Sequence, residues 1–383
     1  MTVQEQGNLV IVGDHDHNTV QQMWRCLSVG KAAHGVLCAD GHLGYAQPVG
    51  GVIAYKDQVS ISGVGFDIGC GNMAVQLDTP YKRISNRVAQ IARDIEKQIS
   101  FGLGRVNDNR VEHSLFDDKE LWKAAGTNNY KDIAVSQLGT VGAGNHYVDI
   151  FEDENGLTWI GVHFGSRGLG HKSATKYLRK AGGKDGMHVA PALVDIDSEL
   201  GQKYLNAMNL AGQYAYAGRE WVVETIRKNI IGGKVLQSIH NHHNYAWVEE
   251  HFGEKYFVVR KGATPAFPGQ KGFIGGSMGD EAVIVEGVDS EQSRKNLYST
   301  VHGAGRKFGR GEAKRTLDRG VMNDWLKKKG VYLVGGDLDE SPMAYKRLDR
   351  VLKHHEGTIK VLHRLQPKIV IMAGKKIRDP YKD

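Results

Sequence analysis

The sequence predicts an α+β fold: one large domain over residues 1–383, with mixed β-sheets and surrounding helices. Three observations lead there. Helix-period and strand-period apolar patterns interleave along the whole length instead of separating into blocks. No internal repeat and no obvious linker divides the 383 residues. An apolar content of 40% is enough to bury a substantial core.

The elements follow in order. Residues 9–12 read as a short strand, and 18–29 as a helix with Val20, Met23, Trp24 and Leu27 on one face. Residues 36–38 form a short apolar strand ending at Asp40-Gly41-His42, and 51–55 and 59–61 are strand-like. Residues 81–99 carry Ile84, Val88, Ile91, Ala92, Ile95 and Ile99 at helical spacing. The polar stretch 107–130 is irregular or partly helical. Residues 159–163 form a strand that delivers His163 to a glycine-rich loop. Residues 197–230 make a long helix with Leu200, Tyr204, Met208, Ala211, Tyr214, Val222 and Ile226 as its buried stripe. Residues 256–259, 282–285, 331–334 and 369–372 are β-type runs, and 346–365 reads as a strongly basic helix.

A net charge of +7 suggests an anionic partner, of which nucleic acid is the commonest. The three cysteines, Cys26, Cys38 and Cys70, make no disulfide framework. No apolar run is long enough to span a bilayer, and residues 1–6 have no signal-like pattern, so a cytoplasmic location is expected. The 49 glycines and 17 histidines are unusual, because the glycines cluster beside His, Asp, Asn and Arg, where loops approach ligands.

Six segments carry chemistry. In Thr300-Val301-His302-Gly303-Ala304-Gly305-Arg306, an imidazole stands beside glycines that allow close approach and an arginine that can grip phosphate; His302 can be a nucleophile, a general base or a metal ligand. In Asp40-Gly41-His42, the carboxylate either closes a strand in a turn or orients a metal-bound imidazole or water, with His42 in support. Asp67 and Cys70 sit three apart among four glycines and are either a turn aspartate beside a buried cysteine or two groups that converge on one cation; a thiolate favours a borderline-soft metal. The run 139–149 resembles a phosphate cradle without the lysine of a P-loop, and offers Asn145, His146 and Asp149. In His163-Phe164-Gly165-Ser166-Arg167, Ser166, Arg167 and the amides can form an anion nest. His240-Asn241-His242-His243-Asn244 is either the polar face of a helix start or the source of a ligand. Asp67, Cys70, His146, His163 and His243 are therefore five separated candidate ligands. That pattern suits a catalytic centre of two metals better than a structural zinc site.

With Gly276-Ser277-Met278-Gly279 added, these motifs span nearly the whole chain, and their order resembles that of the RtcB family of RNA ligases. That family joins RNA 3′-phosphate or 2′,3′-cyclic phosphate ends to 5′-hydroxyl ends. The resemblance implies the family's own α+β architecture and two Mn²⁺ held by Asp67, Cys70, His146, His163 and His243, with Cys70 bridging. It implies GTP as energy source, with His302 attacking the α-phosphate to become a histidine-guanylate. Asn145, Asp149, Ser277, Gly303, Ala304, Gly305 and Arg306 would line the nucleotide, Lys375 would meet guanine, and Arg167 would hold RNA phosphate. Asp40 and His42 would support the site from behind. Asp149 stands where the family usually has Glu, and Ala282 where a serine is common. The compact chain and its divergence at Tyr45-Ala46-Gln47-Pro48 point to a branch serving RNA repair. An archease-like activating protein is the partner such a ligase can require. The alternative is a metal-dependent RNA phosphoesterase or cyclic phosphodiesterase that lacks ligation.

Overall fold

A computed structural model describes residues 2–108 and 110–374. The architecture is α+β with two large sheets. The first has six strands in the order Val3–Gln6, Leu9–Val12, Ala32–His42, Val49–Tyr55, Glu254–Lys261 and Asn244–His251. Leu9–Val12 and Ala32–His42 are parallel, so a crossover must join them. Helix His17–Leu27 supplies it, started by Asp16, whose Oδ1 accepts the Thr19 amide at 3.0 Å.

The second sheet runs Val235–His242, Gly71–Pro80, Leu157–Phe164, Tyr147–Asp153, Ile359–Met372, Ala282–Gly287 and Lys271–Ile274, with Tyr332–Val334 parallel to Ile359–Met372. It curls until its two ends meet through side-chain amides. Asn72 Nδ2 donates to the Phe273 carbonyl at 2.9 Å, and Asn241 Nδ2 to the Lys271 carbonyl at 3.0 Å. Ala74, Phe151, Trp159, Ile239, Phe273, Ile284 and Leu365 form one buried apolar cluster on these strands.

Helix Glu199–Ile226 ties the two halves together. Tyr204, Met208, Ala211 and Tyr214 belong to the core that includes Leu9, Leu37 and Ile53 of the first sheet. Val222 and Ile226 pack with Val75, Ile160 and Ile369 of the second.

Most expected elements are present, often longer than the apolar run that signalled them. Three differ. The helix expected over 81–99 begins at Val88, because 81–87 forms two 3₁₀ turns, Tyr81–Arg83 and Ser85–Arg87. The basic helix expected over 346–365 is confined to Leu348–Lys353; Gly357, at φ +84°, turns the chain, and Ile359–Met372 is a strand. Its β-branched Ile359 and Val361 favour the pleated surface, and the basic Lys360 and Arg364 are exposed. The histidine cluster at 240–243 starts no helix; it ends the strand Val235–His242, whose last two residues are buried. Among the described residues no helix is long and apolar enough to cross a membrane.

Candidate functional site

Four neighbouring strands of the second sheet deliver one histidine or cysteine each to the same end. Antiparallel neighbours alternate direction, so where one strand begins the next one stops. His243 follows Val235–His242, Cys70 precedes Gly71–Pro80, His163 lies near the end of Leu157–Phe164, and His146 precedes Tyr147–Asp153. Asp67 reaches the same point through a tight turn in which the Cys70 amide bonds the Asp67 carbonyl at 3.0 Å. The His243 amide bonds the Cys70 carbonyl at 2.8 Å, which brings in the fourth segment.

The side chains converge. Cys70 Sγ lies 3.2 Å from His163 Nε2 and 3.7 Å from His146 Nε2, and His146 Nε2 lies 3.0 Å from Asp67 Oδ2. One ligand atom each from Cys70, His146 and His163 falls within a 4.8 Å span. His243 packs its ring 5.1 Å from that of His163. All four are buried. Burial, and then the neighbouring imidazoles, hold His163 and His243 well below the usual histidine value, so both are neutral donors of a lone pair. Burial raises the Asp67 carboxyl, but hydrogen bonding and charge at His146 overcome it and bring it down to about 2. Buried thiol, three imidazoles and a carboxylate are a donor set suited to a transition-metal dication.

His302 sits beside this cluster, its ring 4.9 Å from that of His243. It follows the short strand Ser299–Val301. Behind it, Asp40 is fully buried near the end of Ala32–His42; its Oδ2 accepts from His302 Nδ1 at 2.6 Å and from the His302 amide at 3.1 Å. The imidazole that Asp40 meets is thus His302 and not one of the five candidate ligands. Burial opposes ionisation of Asp40, yet the His302 contacts win and its carboxyl lies below the ordinary range. His42 Nδ1 lies 3.0 Å from the Asp40 carbonyl, and burial pushes its ring down to about 4. Gly305 takes φ +75°, and a Cβ there would stand 2.2 Å from the Asp40 carbonyl oxygen, so only glycine lets the two loops touch.

Cluster and His302 share a cavity of about 1160 Å³ whose walls include Asn145, Asp149, Ser277, Gly303, Ala304, Gly305 and Arg306. Asp149 is buried there, its Oδ1 has no partner among the described residues, and burial pushes its carboxyl well up. Ser277 Oγ donates to Asp280 Oδ2 at 2.9 Å. Arg306 Nη1 donates to the Tyr345 hydroxyl at 2.8 Å and its guanidinium lies 4.8 Å over that ring. Glu340 accepts from Arg306, Arg310 and Tyr345. Arg167 is part-buried, with Nε donating to Thr140 Oγ1 at 3.3 Å. Lys375 lies outside the described residues.

Sequence reasoning missed three polar groups. Glu340 and Tyr345 carried no motif. Arg219 had a signal: it falls on the buried stripe of the long helix, at heptad spacing between Met208, Ala211, Ala215, Val222 and Ile226. It is fully buried, and burial pushes its guanidinium down to about 10.

The comparisons with known proteins agree on one family. The chain matches "tRNA-splicing ligase RtcB" over residues 26–129 and 120–373. The chain belongs to the RtcB family. It is 30% identical over 380 residues to the RNA-splicing ligase RtcB of Escherichia coli, covering 89% of this chain and 90% of that one. It is 31% identical over 424 residues to the tRNA-splicing ligase RtcB of Nanoarchaeum equitans, covering 88% of each. With that of Thermococcus kodakarensis it shares 29% over 421 residues, covering 88% of this chain and 87% of the relative. RtcB relatives thus span bacteria and archaea, and the family match includes Asp40, Asp67, Cys70, His146, His163, His243 and His302.

Proposed function

We propose that this RtcB protein is a GTP-dependent RNA ligase, acting as one catalytic domain, that joins 3′-phosphate or 2′,3′-cyclic phosphate ends to 5′-hydroxyl ends. The observation that carries the reading is the placement of His302, clamped by a buried carboxylate, against a wall of five potential metal ligands.

The chemistry follows from the hydrogen bond. An ionised Asp40 can only accept, so Nδ1 of His302 carries a proton, and the tautomer this selects in the neutral ring has its lone pair on Nε2. Nε2 attacks the α-phosphorus of GTP, and pyrophosphate leaves. A 3′-phosphate oxygen of the RNA then takes the guanylyl group, returning the lone pair to Nε2. The 5′-hydroxyl oxygen attacks the activated 3′-phosphorus, loses its proton, and GMP departs. A 3′-phosphate alone offers no good leaving group; the mixed anhydride supplies one. A cyclic phosphate is opened by water first.

Asp67, Cys70, His146, His163 and His243 would hold two Mn²⁺, whose charge offsets that of the crowded phosphate oxygens. Arg167 would grip RNA phosphate. Asn145, Ser277, Arg306 and the amides of 303–305 would receive the nucleotide. Asp149 Oδ1, without a partner among the described residues, would meet a ribose hydroxyl or the edge of a base.

The test is incubation with labelled GTP and Mn²⁺, with ATP as control. A phosphoramidate at His302, labile in acid and stable in alkali, is expected. Opening of a cyclic phosphate with no label on the protein would instead favour the phosphoesterase.

A further inference from the structure

We infer that Arg219 is a positioning residue for the metal centre: one guanidinium bonds the chain neighbours of three of the five candidate ligands. Its Nη1 donates to the Gly69 carbonyl at 3.0 Å and to the Phe164 carbonyl at 2.6 Å, and its Nη2 lies 3.1 Å from His242 Nδ1. Gly69 precedes Cys70, Phe164 follows His163, and His242 precedes His243. Its Nε donates to His240 Nε2 at 2.8 Å, and the Tyr216 ring covers the guanidinium at 5.3 Å. The inference rests on the metal-dependent reading of this site.

The group is placed at a cost. Among the described residues Arg219 has no ion-pair partner, so a full charge is buried without a carboxylate. A planar fork is needed, because it serves two carbonyls and two imidazoles at once; an ammonium at the end of a lysine cannot. Through these bonds Arg219 fixes where the strand ends carrying Cys70, His163 and His243 stop relative to one another. Outer hydrogen-bond partners of this kind typically govern metal affinity by about 10- to 100-fold.

The test uses the full chain as Arg219→Gln and Arg219→Lys, titrated with Co²⁺ and Mn²⁺. The readouts are dissociation constants and the near-ultraviolet thiolate-to-Co²⁺ charge-transfer band, with near-UV circular dichroism reporting the fold. Both variants are expected to stay folded, bind metal about 10- to 100-fold more weakly and show an altered band, with Lys no better than partial. Wild-type affinity and an unchanged band in either folded variant would overturn the inference. Loss of fold in both would also overturn it, by making Arg219 a general core residue. Absence of a thiolate band in the wild-type protein would instead sink the metal-dependent reading itself.

Discussion

Asp40 Oδ2 and His302 Nδ1, separated by 262 positions in the chain, meet at 2.6 Å inside the protein. The contact joins the first large sheet to the loop after Ser299–Val301 and, in the proposed mechanism, leaves Nε2 as the attacking nitrogen. Asp40→Asn removes the charge and presents an amide of the same size. We expect GTP-dependent labelling to slow by about 100-fold or more, the order contributed by a group that sets a catalytic proton. Single-turnover labelling measures it; an unchanged rate would show that Asp40 is only a structural strut.

His302→Ala should abolish covalent labelling and sealing together and leave metal binding close to that of the wild type, since the ring contacts His243 without sharing the cluster of Cys70, His146 and His163. RNA sealing by this variant would refute the histidine-guanylate route.

Cys70→Ala removes the sulfur that lies within reach of both His146 and His163. Mn²⁺ affinity and ligation rate should fall in parallel. Calorimetric titration beside a ligation assay checks this. Full metal occupancy with lost activity would move Cys70 from ligand to another role.

Gly142→Ala should damage the site with little change in the rest of the molecule. A Cβ there would stand 2.2 Å from His146 Nδ1 and 2.3 Å from Arg167 Nη1. Both side chains must shift, at a cost of about 1–3 kcal/mol for overpacking. Thermal melting and metal affinity measured together should show the affinity falling further than the stability.

Acid stability should depend on Glu249. Its side chain is buried against Arg260, with Oε2 3.0 Å from Nη2, and 2.8 Å from His251 Nε2. Burial raises its carboxyl, but Arg260 and His251 outweigh that and take it below the ordinary 4.5. A carboxyl lowered on folding contributes stability that is complete above its unfolded value and lost as pH falls through the folded one. Glu249→Gln should therefore cost about 3–5 kcal/mol at neutral pH, as expected when a buried partner charge is stranded. The deficit should shrink in urea melts as pH drops below 4.5. A deficit that is constant from neutral to acid pH would contradict the assignment.

Local patterns revealed the long helix, the strand that presents His163 and the glycine-rich segments, because each follows from neighbouring residues. The strand Ile359–Met372 was obscured by charge, since Lys360, Arg364 and Lys368 resemble a basic helix until their alternation is counted. Glu340 and Tyr345 could not be read, because their importance comes from Arg306 and Arg310, thirty or more positions away. Asp40 and His302 were each singled out, but their pairing was not, for the same reason of distance. Arg219 could have been found: a lone arginine on an apolar helical stripe demands a buried reason.

The amides of Asn72 and Asn241 close the curled sheet with side chains where a further strand would otherwise dock. The outer strands Val235–His242 and Lys271–Ile274 therefore shield one another's unpaired backbone groups from other molecules. Unfastening that seam would expose two sticky borders, and the damage would then surface as self-association of the enzyme in the test tube before any fall in its melting temperature.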